Sequence, residues 1–178
     1  MSGEKSAIRE FIEQILIAGV LAFFIITFVV QSFVVDGPSM EPTLYDRERL
    51  FVNKFIYRFR EPQRGEIIVF DPRIASANKF IKRVIGLPGE TVEIQGGYVY
   101  INGQRLEEDY IQDPPRRAYG PYEVGEDEYF VLGDNRSNSS DSRFPHVGMV
   151  EKESISGKAF WNYWPLNRLR LIRLPDYG

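Results

Sequence analysis

The chain has 178 residues, 43% of them apolar, and 22 Lys and Arg against 25 Asp and Glu give a formal charge of −3. That apolar share builds a core for one domain plus an appendage, which excludes a disordered tail or a stapled mini-protein. Basic residues are scattered over a net negative chain, which argues against nucleic acid as a partner. With no cysteine there is neither a disulfide framework nor a thiolate metal site.

The first element in chain order is apolar. After a short tail over 1–14, the run from Ile15 to Val35 holds 21 residues without a charge. As a helix rising about 1.5 Å per residue it is about 31 Å long, close to the hydrocarbon thickness of a bilayer. A cleaved secretory signal has an apolar core of only about 7–15 residues followed by small residues at a cleavage site, so the run predicts an uncleaved transmembrane anchor over 15–35. Its orientation stays open, because Lys5 and Arg9 precede it while Arg47, Arg49 and Lys54 follow it.

From Asp36 onward the pattern changes to short β-like runs between Gly, Pro and Asn turns. Arg49 to Phe59, Gly65 to Phe70 and Lys79 to Leu87 read as strands. A meander follows, in which "TVEIQ" meets "YVYI" across Gly96-Gly97 and Asn102-Gly103 turns "YVYI" back onto "QRL". Glu107 to Gly125, with Pro114, Pro115 and Pro121, reads as an irregular excursion, and "EYFVL", "GKAFWNYW" and "LRLIRL" supply the remaining strands. The fold class expected for 36–178 is therefore mostly β, with coiled β-sheets in a barrel-like domain behind one N-terminal transmembrane helix.

Three places carry candidate chemistry. Ser39, in "GPSMEPTL", is a nucleophile only if a partner takes its proton, and taken alone it is more readily a turn leaving the anchor. Lys82 alternates with Phe80 and Val84 on one strand face, where apolar neighbours would depress its pKa. Arg83 shares the other face with Ile81 and Ile85, so alternation does not choose between a buried and an exposed lysine. The stretch "GDNRSNSSDSR", Gly133 to Arg143, follows an apolar strand and offers an Asp141–Arg143 pair and hydroxyls that would orient a neighbouring ammonium. His146, the only histidine, sits in a turn-like "RFPHVG".

In order, the anchor, "SMEPTL", "RGEIIVF", "FIKRVIGLPGE", "GDNRSNSSDSR" and "GKAF" resemble the type I signal peptidases, membrane-bound Ser/Lys proteases of bacteria and their organelles. The resemblance implies Ser39 as nucleophile and Lys82 as general base, Ser139 hydrogen-bonding the lysine, Asp141 and Arg143 as a supporting ion pair, and Asp134 bracing the site. It implies a substrate strand added between "FVVDG" and "FIKR", with Val35, Met40, Leu44, Phe80 and Ile81 narrowing the pockets and Phe33 closing the deeper one. Two departures stand out. Gly37 lies where some members carry a hydroxyl that helps hold the oxyanion, leaving that task to the Ser39 backbone N–H, and Ser137 lies where the family commonly has an acid.

The 91–125 meander resembles a reduced form of the family's second β domain, dispensable to the chemistry. Implied partners are exported preproteins with signal peptides, membrane lipid and the secretion translocon, with no metal or organic cofactor and no nucleic acid. The implied setting is a single-pass protein of a bacterial cytoplasmic or thylakoid-like membrane, its catalytic domain extracytoplasmic. Ser39 lies four residues beyond Val35, at most about 13 Å of extended chain, which sets the expected nucleophile at the lipid surface. Trp161, Tyr163 and Trp164 are candidates for dipping into that interface. Rival readings are a self-cleaving repressor-type protease, a membrane-tethered β binding module and an inactive homologue.

Overall fold

The computed structural model describes residues 2–24, 29–72 and 78–177. Helix α1 spans Ser2–Phe24. The expected single apolar helix through Val35 is corrected here: Val30–Val34 form strand β1, which pairs antiparallel with β2, Arg49–Asn53. Residues 25–28 of the expected span lie outside the described residues. The reason for the change is a period of two. Phe33 packs on a core cluster to which Val35 belongs, while Val34 between them is exposed, so Phe33 and Val35 share the core face and Val34 takes the other. No described helix is long and apolar enough to cross a membrane; Glu4, Lys5, Arg9, Glu10 and Glu13 occupy the first half of α1. With β1 intervening, Ser39 does not directly follow a helix end.

The main sheet also contains β3 (Ile67–Phe70), β4 (Phe80–Gly86), β9 (Glu128–Leu132), β10 (Val150–Glu151) and β11 (Ile155–Trp164). Its order is β1-β2-β11-β3-β4-β9-β10, with the short β12, Arg170–Leu171, on β11. Adjacent strands pair antiparallel. The central β11 breaks register with both neighbours, between Ile155 and Gly157 and again after Ala159 and Asn162, and such irregularities increase twist. The sheet curls far enough that Val34–Asp36, at the end of β1, face Asn78–Lys82 across a cleft, although β2, β11 and β3 separate the two strands in sheet order.

A second sheet, ordered β7-β6-β5-β8, is built from β5 (Thr91–Gln95), β6 (Tyr98–Ile101), β7 (Gln104–Arg105) and β8 (Tyr119–Glu123). Gly96 and Gly97 at φ 59° and 86°, and Asn102 and Gly103 at 52° and 80°, make its two hairpin turns, the left-handed pairs that such turns require. The excursion over Glu107–Gly125 thus contains a strand, β8, despite Pro121. Its core is not separate. Val92, Ile94, Val99 and Ile101 share one buried cluster with Ile85 of β4 and Phe130 and Leu132 of β9. Gly86 makes the junction fit, since a Cβ there would lie 2.5 Å from Val92 Cγ2.

Candidate active site

Ser39 sits in a turn entered through Gly37, whose φ of +85° suits glycine and whose N–H donates to Asp46 Oδ1 at 2.8 Å. Met40 and Leu44 anchor the far side of the turn in the core. Asn135 clamps it from the loop after β9, donating its backbone N–H to the Ser39 carbonyl at 3.1 Å and Nδ2 to the Pro38 carbonyl at 3.2 Å. Lys82 enters from β4, paired with Ile68 of β3, and is only 4% exposed. Its Nζ donates to Ser39 Oγ at 2.9 Å and to the Ile81 carbonyl at 2.9 Å. Burial lowers the Lys82 pKa from 10.5 to about 8, against the opposing fields of Asp141 and Asp134. Near pH 7 that leaves roughly one amine in ten neutral, against about one in a few thousand for a solvated lysine.

The loop over Gly133–Arg143 closes around this pair. Arg143 grips Asp141 through two parallel bonds, Nε to Oδ1 at 2.7 Å and Nη2 to Oδ2 at 2.8 Å, while the Gly133 N–H donates to Asp141 Oδ2 at 3.0 Å. Asp134 is fully enclosed, and its partner is Arg83, with Nε to Oδ1 at 2.8 Å and Nη2 to Oδ2 at 2.6 Å. Arg83 also donates to the Gly65 carbonyl at 2.8 Å and lies 4.1 Å from the Tyr110 ring centre. Sequence reasoning missed this role. The available signal was the adjacency of two cations on a strand otherwise made of Phe, Ile and Val, which implies that both faces are covered.

Ser139 makes no hydrogen bond to the lysine: its Oγ is buried without a hydrogen-bond partner among the described residues. Glycine at 133 makes room for Ser139, because a Cβ there would stand 2.2 Å from Ser139 Oγ and 2.4 Å from the Ser39 carbonyl oxygen. The histidine bonds neither member of the pair among the described residues; its Nε2 lies 2.5 Å from Oγ of Ser140, which lines the same cleft.

A cleft of about 250 Å³ opens at the pair, and Val35, Met40, Phe80 and Ile81 line it together with Asp36, Asn78 and Lys79. Leu44 and Phe33, expected as pocket residues, pack into the core beneath, and Gly37 is also outside the lining. Leu44 is wholly enclosed, in the same core cluster as Leu50 and Val52. Asp36 and Asn78 meet across the opening at 3.4 Å. The arrangement offers a hydroxyl, a buried amine able to take its proton, and a groove of mixed apolar and polar lining open to an extended chain.

Residues 8–164 match the family described as signal peptidase, peptidase S26. The chain belongs to this family. Its members are peptidases, so the chain is a serine-type hydrolase. Among similar proteins, a probable signal peptidase I-2 of Synechocystis sp. is 48% identical over 87% of this chain and 72% of that one. The signal peptidase I of Leptolyngbya laminosa is 50% identical over 92% of this chain and 83% of its own length. A crystal structure of a signal peptidase I from Enterococcus faecalis V583 is 38% identical and covers 56% of this chain and 97% of that one, with a TM-score of 0.45.

Proposed function

We propose that this peptidase removes N-terminal signal peptides from exported preproteins by acyl transfer through Ser39 and Lys82. The observation that carries the reading is the 2.9 Å contact between Ser39 Oγ and a Lys82 amine buried enough to lose its proton near neutral pH. Neutral Lys82 accepts the Ser39 proton as Oγ attacks the scissile carbonyl carbon, then gives that proton to the departing amine. Water, deprotonated by Lys82, opens the ester and frees Ser39. The Asp141–Arg143 pair holds the Gly133 N–H, and the Arg83–Asp134 pair ties β4 to the same loop. With Gly37 offering no side chain and its N–H held by Asp46, the Ser39 N–H is the oxyanion donor in this scheme.

In the same proposal the extended signal peptide lies in the cleft between Val34–Asp36 and Asn78–Lys82, adding as a strand. The protein is held at the extracytoplasmic face of a bacterial cytoplasmic or thylakoid-like membrane. Support comes from α1, where Ile15, Leu16, Ile17, Val20, Leu21 and Phe23 are each more than half exposed, an apolar surface that fits lipid. The exposed Trp161 and Trp164 suit the polar boundary of the bilayer. The test mixes the chain in detergent with a preprotein and measures cleavage. Ser39→Ala and Lys82→Ala are each expected to lose about a thousandfold or more in kcat, while His146→Ala retains activity. Full processing by Ser39→Ala would remove the proposed nucleophile.

A further inference from the structure

Another cavity, of about 230 Å³, opens against the loop that carries Ser139 and Arg143. Arg116 and Arg117, from the segment before β8, form part of its wall, and Arg136, Ser137, Ser139 and Arg143, from the loop after β9, form most of the rest. No carboxylate among the described residues lines it. Arg136 is held from behind by Glu108 at 2.8 and 2.6 Å, and Arg143 by Asp141. Arg116 and Arg117 are exposed and pair with no acid among the described residues. The wall is therefore left with uncompensated positive charge, and Ser137 adds no acid to offset it. The buried, unpartnered Ser139 Oγ belongs to the same wall.

The cavity adjoins the reaction. Ser140 lines the Ser39–Lys82 cleft and its neighbour Ser139 lines the arginine cavity. Gly133 touches both Ser139 and the Ser39 carbonyl, with a built Cβ 2.2 and 2.4 Å from them. An extended chain advances about 3.3 Å per residue, so the residues just after the cut are the ones that pass from one lining to the other.

We propose that this cavity binds an acidic side chain of the mature segment, an Asp or Glu within the first few residues after the cut. The inference rests on the peptidase reading: with the acyl half of the substrate in the cleft, the leaving half passes Ser39 and meets the arginines. A guanidinium matches a carboxylate with two parallel hydrogen bonds, and attraction at an exposed rim weakens with salt. An anionic lipid headgroup is the rival occupant. The exposed Trp161 and Trp164, proposed to meet lipid, share no residue with the cavity, which favours the peptide.

The experiment uses two preproteins that differ only in carrying Asp or Asn at the second and third mature positions, cleaved by the whole chain in uncharged detergent. The native chain should favour the Asp substrate about tenfold in kcat/KM at low salt, a preference that fades near ~0.5 M salt. Arg116→Gln/Arg117→Gln should reduce the ratio to about one, and Arg105→Gln, which removes a charge outside the cavity lining, should keep it. Equal rates for the two substrates with the native chain overturn the arginine cavity while leaving the peptidase reading intact. So does an undiminished ratio in the double variant, an equal loss in Arg105→Gln, or a defect confined to binding phosphatidylglycerol vesicles. Failure to cleave either substrate overturns both readings.

Discussion

Lys82 holds a charge-bearing group where charge is disfavoured, and two measurable consequences follow from its depressed pKa. The first concerns rate. If the neutral amine is the base, kcat/KM rises about tenfold per pH unit and levels off above about 8. Asp141 opposes the depression by favouring the charged amine, so Asp141→Asn should move the midpoint to lower pH, and an unmoved midpoint would deny Asp141 that influence. The second concerns stability. Folded Lys82 titrates near 8 and an unfolded lysine near 10.5, so between those values the unfolded state binds more protons and stability rises with pH. Below pH 8 the full penalty applies, about 3 kcal/mol. Lys82→Met should therefore melt higher than the native chain at pH 7, with the gap narrowing as the pH climbs from 8 toward 10.5.

Strand β4 joins the reacting lysine to the scaffold through the residue beside it. Arg83 is 2% exposed and its carboxylate partner Asp134 is fully enclosed, so truncating either leaves an uncompensated buried charge. Arg83→Met should cost about 3–5 kcal/mol, read as a large fall in melting temperature. Arg83→Met/Asp134→Leu should recover much of that loss, because the charge and its counter-charge go together. The lysine and arginine were readable as a pair of cations on a strand. Which one reached the serine was not, because strand alternation is symmetric and only the covering elements distinguish the two faces. Similarly, "FVVDG" was legible as apolar, but its membership of β1 depends on pairing with Arg49–Asn53.

Across the whole molecule, the small sheet and the site share structure. Ile85, Phe130 and Leu132 pack under it, and Glu108, from the same inserted segment, is the partner of fully buried Arg136 in the site loop. From sequence the meander is expected to be dispensable to the chemistry; its packing makes it a contributor to the fold that holds the site. Uncovering three large apolar side chains forfeits roughly 1.5–3 kcal/mol each, comparable with the net stability of a domain. Replacing Thr91–Glu123 by a short linker should therefore abolish the cooperative melt along with activity. A linker variant that melts cooperatively near the native temperature would restore the case for dispensability.

What the sequence by itself determined was local: strands from alternation, hairpins from Gly96-Gly97 and Asn102-Gly103, and Ser39 and Lys82 as candidates from the order of their motifs. These are legible because the residues responsible are neighbours in the chain. The tertiary structure alone decided that Ser39 meets Lys82 across 43 positions and Arg83 meets Asp134 across 51. It also decided that Ser139 Oγ stays unpartnered and that Leu44 is core rather than pocket. Those outcomes depend on how far the main sheet curls and on which faces the second sheet covers, the combined result of long-range packing that no short window of residues contains.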